Sequence, residues 1–152
     1  MPKGLISVEL KGEKELQKEL KRLIQEKPME VKQEVYASGV DIQREAKEEL
    51  REMGAWDLGN AANSIMVDLE DQGFTARIEV QAPYGSHIEY GTRPHFPPPD
   101  ALEGWAKRHG FDSAWPICKA IAKRGLKARP FLVPAYLENR DKFFNRIVGV
   151  FE

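Results

Sequence analysis

The chain has 152 residues, 41% of them hydrophobic and 31% charged, enough to build a packed core and too apolar for wholesale disorder. Its 23 Lys and Arg against 24 Asp and Glu leave a formal net charge of -1, so no global field draws it to nucleic acid or to a membrane. A single cysteine, Cys118, excludes an internal disulfide and fits a reducing compartment, and no apolar run approaches a membrane span.

The start Met1-Pro2-Lys3-Gly4 lacks the hydrophobic region of a signal peptide, so the chain is expected to be cytoplasmic when made. Ile6, Val8 and Leu10 alternate with Ser7 and Glu9, which predicts a half-buried strand. After Gly12, Leu16, Leu20, Leu23 and Ile24 fall at helical spacing, and Pro28 ends or breaks that helix. A second helix is expected from about Met29 to Met53, its stripe running from Val31, Val35 and Gly39 to Ile42, Ala46, Leu50 and Met53. Gly39 weakens that helix by about 1 kcal/mol in isolation but lets another backbone approach. The polar sides of both helices mix signs, as a solvated face or a subunit rim would. Gly54 and Gly59 bracket a loop with Trp56 and Asp57, where Trp56 is either a core residue or an anchor for a partner.

Next, Ile65, Val67 and Leu69 alternate, Asp71-Gln72-Gly73 turn, and Phe74, Ala76, Ile78 and Val80 alternate again. This predicts a β-hairpin, with the long helix covering one face of a small antiparallel sheet. Tyr84 to Pro97 then reads as a rigid corner. A short helical turn stops at Gly91, which takes φ > 0, and Pro94 with Pro97-Pro98-Pro99 holds the exit extended. Glu89 is expected to accept from the Thr92 hydroxyl or nearby backbone N–H groups, or to pair with Arg93. The competing reading makes this corner an active site.

Beyond it, residues 93–129 read as an inserted segment of two short helices. Asp100 and Glu103 form a capping box for the first, which Gly110 closes; Ser113 caps the second, which ends at Gly125. Pro134 suits the first turn of a final helix, expected to turn Leu137, Arg140, Phe144, Ile147 and Val148 to the body. The inserted segment holds eight bases against three acids, with Trp105 and Trp115 among them. Lys119, Lys123, Arg124 and Lys127 are therefore candidates to face DNA through phosphate contacts; the bland alternative is a wet helix side.

No catalytic chemistry is legible. His87-x-Glu89 with His95 matches no metal-ligand spacing, Cys118 sits on an apolar stripe, and Ser64 and Ser86 lack a nucleophile elbow. There is no phosphate-binding glycine loop, so no cofactor, no metal and no enzyme activity are expected.

Tyr84 to Thr92, read as Y-x-x-x-x-E-Y-G-T, resembles the hallmark of a family of siphophage tail-completion, or head–tail neck, proteins of the phage HK-ninety-seven tail-component type. Leu58-Gly59-Asn60-Ala61-Ala62-Asn63-Ser64-Ile65 is similar to the family's T-G-x-L-x-x-S-I segment, and Arg129 to Ala135 to its closing P-F-L-x-P-A segment. Asp57-Leu58 stands where the family has Thr before the Gly, and Ala62 where it has Leu. The resemblance implies a virion protein, assembled in the host cytoplasm, that completes the tail and helps join it to the head. It implies a ring of identical subunits that meets other tail and head-connector proteins and lets DNA pass. Tyr84, Glu89, Tyr90, Gly91, Thr92, Arg93, Arg129, Pro130 and Phe131 would then form a structural corner or subunit interface. The expected fold is α+β: a small, mostly antiparallel sheet packed against a long helix and a C-terminal helix, in one domain.

Overall fold

In the computed structural model, which describes residues 13–54 and 59–152, Pro28 starts a helix instead of only ending one. Helix α1 (Glu13–Glu26) and helix α2 (Pro28–Glu52) are separated by Lys27 alone. Proline at the first position of α2 loses an N–H that had no helical partner in any case. The expected strand at Ile6 to Leu10 and the loop with Trp56 and Asp57 lie outside the described residues, as do the side chains of Glu13, Glu15 and Leu16.

The α2 stripe is as expected: Val31, Val35, Gly39, Ile42, Ala46 and Leu50 are buried. Strand β1 (Ile65–Glu70) and strand β2 (Thr75–Val80) pair antiparallel around a tight turn at Asp71–Gly73, with Ile65 opposite Val80 and Glu70 opposite Thr75. The hairpin lies on α2 where Gly39 has no side chain: a Cβ there would stand 2.9 Å from Val67 Cγ1 and 3.1 Å from Ala76 Cβ. The Arg77 guanidinium, bonded to the Glu70 carboxylate at 2.6 and 2.8 Å, holds that carboxyl below its usual range. Gln43 of α2 donates to the Ile65 carbonyl at 2.5 Å and so ties the start of β1 to the helix.

Helix α3 (Asn60–Asn63) leads into β1, and helix α4 (Gly85–Tyr90) follows β2. Helix α5 (Pro99–Arg108) and helix α6 (Trp115–Arg124) form the inserted pair, and helix α7 (Leu132–Phe151) closes the chain alongside α2. One hairpin and seven helices make the described chain α+β. The main core joins Ile42, Ala46 and Leu50 of α2 to Ala61, Ala62, Ile65, Phe131 and Ala135. The inserted pair has its own small core of Ala106, Ala114 and Cys118, the last a fully buried thiol as expected.

Three sequence expectations fail in detail. Helix α5 begins at Pro99 with no side-chain cap, so Asp100 is not its N-cap; Glu103 instead accepts from the Ala114 N–H at 2.9 Å and locks α5 to the start of α6. Ser113 does not cap α6, whose N-cap is Ala114. Helix α7 is rotated from the expected face. Leu132, Ala135, Asn139, Phe143, Arg146 and Val150 turn inward, while Leu137, Arg140, Phe144 and Val148 are exposed and only Ile147 is half-buried. The rotation brings Arg146 to Asp41 of α2 at 2.6 Å, where Asp41 also holds Arg44 at 2.7 Å. Leu132 and Ala135 enter the main core on this face, and the partly buried, two-sided ion pair adds to that packing in a helix that is apolar on most sides.

Ser38 of α2 is buried and its hydroxyl has no hydrogen-bond partner. An unmade bond at a desolvated hydroxyl costs about 1–3 kcal/mol. Ser38→Ala is therefore expected to leave stability unchanged or raise it by about 1 kcal/mol, helped by the better helix propensity of Ala. A urea melt checks this, and a loss above about 1 kcal/mol would show a hidden partner.

Candidate functional site

The corner is built from two segments far apart in sequence. Helix α4 ends at Gly91, whose backbone (φ 68°, ψ -175°) lies where side chains are rarely tolerated. The chain leaves extended, and the Thr92 N–H donates to the Leu126 carbonyl at 3.0 Å. In return, the Leu126 N–H donates to Thr92 Oγ1 at 3.1 Å. Gly125, with nearly the same backbone angles (φ 72°, ψ -167°), lies on the other side of this bridge, against the backbone of Thr92 and Arg93. Further along, the Arg129 N–H donates to the Ile88 carbonyl at 2.8 Å. The two glycines thus let the entry and exit strands of the inserted pair approach backbone to backbone.

Glu89 is the centre of this arrangement: of the expected kinds of partner it takes backbone N–H groups, but those of a segment distant in sequence. Its carboxylate is buried and accepts the N–H groups of Phe131 at 2.8 Å, Leu132 at 2.9 Å and Val133 at 3.0 Å. These are donors at the start of α7 that have no acceptor within the helix. A negative charge there also meets the positive end of the helix dipole. Glu89 therefore caps α7 from 42 residues away. Thr92 and Arg93 do not pair with it. Thr92 Oγ1 faces Leu126, and the Arg93 carbonyl accepts from His95 Nδ1 at 2.9 Å, with Thr92 Oγ1 3.3 Å from the same nitrogen.

Tyr84 and Tyr90 turn outward; Tyr90 is 74% exposed. A shallow groove beside the corner is lined by Val80, Gly85, Ser86, Glu89, Tyr90 and Phe131, with no histidine among its walls. His87 and His95 stand with ring centroids 6.5 Å apart. Among the described residues no three His, Cys, Asp or Glu side chains converge as a metal site would require. Phe131 is fully buried in the main core, whereas Arg129 and Pro130 are exposed.

The inserted pair carries its bases outward. Lys119, Lys123, Arg124 and Lys127 are all exposed, and Trp115, Lys119 and Lys123 lie on one side of α6 at four-residue steps. Phe96 packs against Trp115 at 5.6 Å between centroids, and Trp105 stacks on His109 at 4.0 Å. Lys107 and Arg108 end α5, and Lys123 and Arg124 end α6, where cations suit the negative ends of the helix dipoles.

Sequence reasoning missed the acceptor role of Glu89 towards Phe131 to Val133. A capping acid is sought within three residues of a helix start, and here the loop between them holds two helices. The fold and this site define a small α+β protein whose C-terminal helix is capped by a distant corner and whose inserted helix pair hangs from the same corner. No protein-family model, curated protein or solved structure matches the chain.

Proposed function

We propose that the chain is a structural subunit of a phage or prophage virion, completing the tail and helping join it to the head as a ring of identical copies. The observation that carries this reading is the meeting of three separated sequence blocks in one place. Ala61, Ala62 and Ile65 of the first block, Ile88 of the second, and Phe131, Leu132 and Ala135 of the third share one core. Glu89 and Ile88 also bond the second block to the third through four backbone N–H groups. The resemblance thus rests on residues that hold one another, not on three unrelated short matches.

On this reading the chain acts by assembly in the host cytoplasm and in the virion, without turnover or cofactor. The one carboxylate in the corner groove spends both oxygens on helix N–H groups, which suits a structural part better than an acid or base. Among the described residues no helix is long and apolar enough to cross a membrane. Light scattering on a sizing column over a wide concentration range, with images of any large peak, tests the ring. A closed ring is expected; a monomer at every concentration would remove self-assembly from the reading.

The exposed row Trp115, Lys119, Lys123 favours a second role for the inserted pair, contact with passing DNA by charge alone. Lys123→Glu with Lys127→Glu is expected to leave the melting temperature unchanged, since both side chains are exposed. The same double variant should lower DNA affinity and flatten its salt dependence. Equal affinity in wild type and variant would remove DNA from the account.

A further inference from the structure

Two apolar faces of this chain lack a partner among the described residues. On the outward side of α7, Val133, Leu137, Phe144 and Val148 recur at turn spacing and are 45%, 53%, 58% and 54% exposed. An apolar row of that kind differs from single hydrophobic residues scattered on a surface. The other face belongs to α1, which is strongly amphipathic: Leu20 is 45% exposed, with Leu23 and Ile24 only half-buried beside it. At 1.5 Å per residue the 14 residues of α1 span about 21 Å, long enough for the helix to run along the α7 row of about 23 Å.

The charges bordering each row decide direction. Viewed from the N-terminus at 100° per residue, Lys14 and Lys21 border the α1 row on its clockwise side, and Glu19 and Glu26 on the other. On α7 the clockwise border carries Glu138 and Asp141, and the opposite one Arg140. Antiparallel helices bring like-placed borders together, as in coiled coils. With the two midpoints aligned, Lys21 then faces Glu138 and Asp141, and Glu19 faces Arg140. Parallel packing would instead set Glu19 and Glu26 against Glu138 and Asp141.

The chain's own α1 is held in the wrong direction for this. Lys27, at the end of α1, donates to the Val150 carbonyl at the end of α7. Folded back from that point, α1 would lie parallel to α7, acid against acid. The geometry points to a second copy of this chain as the occupant, its α1 lying antiparallel along the outward row of the first copy's α7. This deepens the ring reading and rests on its self-assembly part. Apolar burial supplies the attraction and the charges supply direction, because Arg22 with Glu19 and Glu26, and Arg140 with Asp141, only exchange exposed partners. Donor and acceptor faces differ, so each copy gives one joint and receives another, and association continues until a ring closes.

The test uses two full-length variants with complementary defects, followed by light scattering. Leu20→Glu spoils the donor face and leaves α7 intact; Leu137→Glu spoils the acceptor face and leaves α1 intact. Wild type is expected to gain mass with concentration, because one helix-on-helix joint is small. Each variant alone should stay monomeric at the wild-type melting temperature, and an equal mixture should form a dimer through its one good joint. Adding Lys21→Glu to the Leu137→Glu chain should weaken that dimer, and adding Asp141→Lys to the Leu20→Glu chain should restore it. Monomeric wild type overturns the inference, and so does a mixture that stays monomeric, the result expected if α1 covers α7 within its own chain. A ring that persists in both variants removes this joint and leaves the ring reading standing. A mixture that dimerises, with wild type forming only open filaments, keeps the joint and removes the ring.

Discussion

Glu89→Ala is expected to lower folding stability by about 3 kcal/mol. The substitution leaves the N–H groups of Phe131, Leu132 and Val133 without their acceptor at the start of α7. Each buried donor left unpaired costs about 1–3 kcal/mol, and the adjoining groove lets water recover part of that total. Removing the charge gives up a further 0.3–1 kcal/mol or so of favourable interaction with the helix dipole. Glu89→Gln keeps one acceptor oxygen but turns an amide NH2 towards backbone donors, so its loss should fall between wild type and Ala, at about 2 kcal/mol. Urea denaturation gives the order directly. A Glu89→Ala loss below about 0.5 kcal/mol would sink the capping account. Amide exchange at residues 131–133 offers a local check, since faster exchange confined there would mark a frayed helix start.

The two glycines of the bridge should be nearly as intolerant, for a different reason. A Cβ at Gly91 would stand 2.5 Å from the Leu126 carbonyl oxygen and 2.7 Å from the Ala128 nitrogen. At Gly125 it would overlap the Thr92 carbonyl oxygen and lie 2.9 Å from the Arg93 carbonyl carbon. Every one of these neighbours is backbone, so relief requires the two strands to part. The backbone conformation itself costs a side chain about 1–2 kcal/mol, and losing the bridge adds to it. Gly91→Ala and Gly125→Ala should each cost about 3 kcal/mol or more, and Gly91→Val more still, because a branched Cβ tolerates φ > 0 poorly. Gly110→Ala is the control. It has φ 80° but nothing within 4 Å of the added Cβ, so only the conformational cost of about 1 kcal/mol should appear. If all three variants melt together, close backbone approach is not what selects glycine at the corner.

Much of the fold was legible because its signals are local. The α2 stripe and the hairpin register follow from side chains that repeat at 3.6 and 2 residues, and burial on one side enforces that repeat. Proline at the break between α1 and α2 and glycine at the end of α6 act through their own backbone angles, which neighbours do not need to specify. The face of α7 was misread because the helix is apolar on most sides, and a periodic pattern cannot rank two apolar faces. Tertiary packing settled it: Leu132 and Ala135 enter the main core, and Arg146 on the same face reaches Asp41, a residue 105 positions earlier. Asp100 and Ser113 matched capping patterns, yet Pro98 already fixes the entry to α5, and Glu103 spends its carboxylate on Ala114.

By itself the sequence determined the α+β composition of the described chain, the hairpin, the long helix and the position of a rigid corner at Gly91. Each of these depends on residues within a few positions of one another, where steric limits and hydrophobic repeats act directly. Only the tertiary structure decided what the corner holds. Glu89 carries no local mark of its role, because the helix start it caps lies beyond two further helices and reaches it only when the chain closes on itself. The same closure chose which side of α7 meets the body and left an apolar row facing outward, because packing, and not periodicity, assigns a face to a helix that has two.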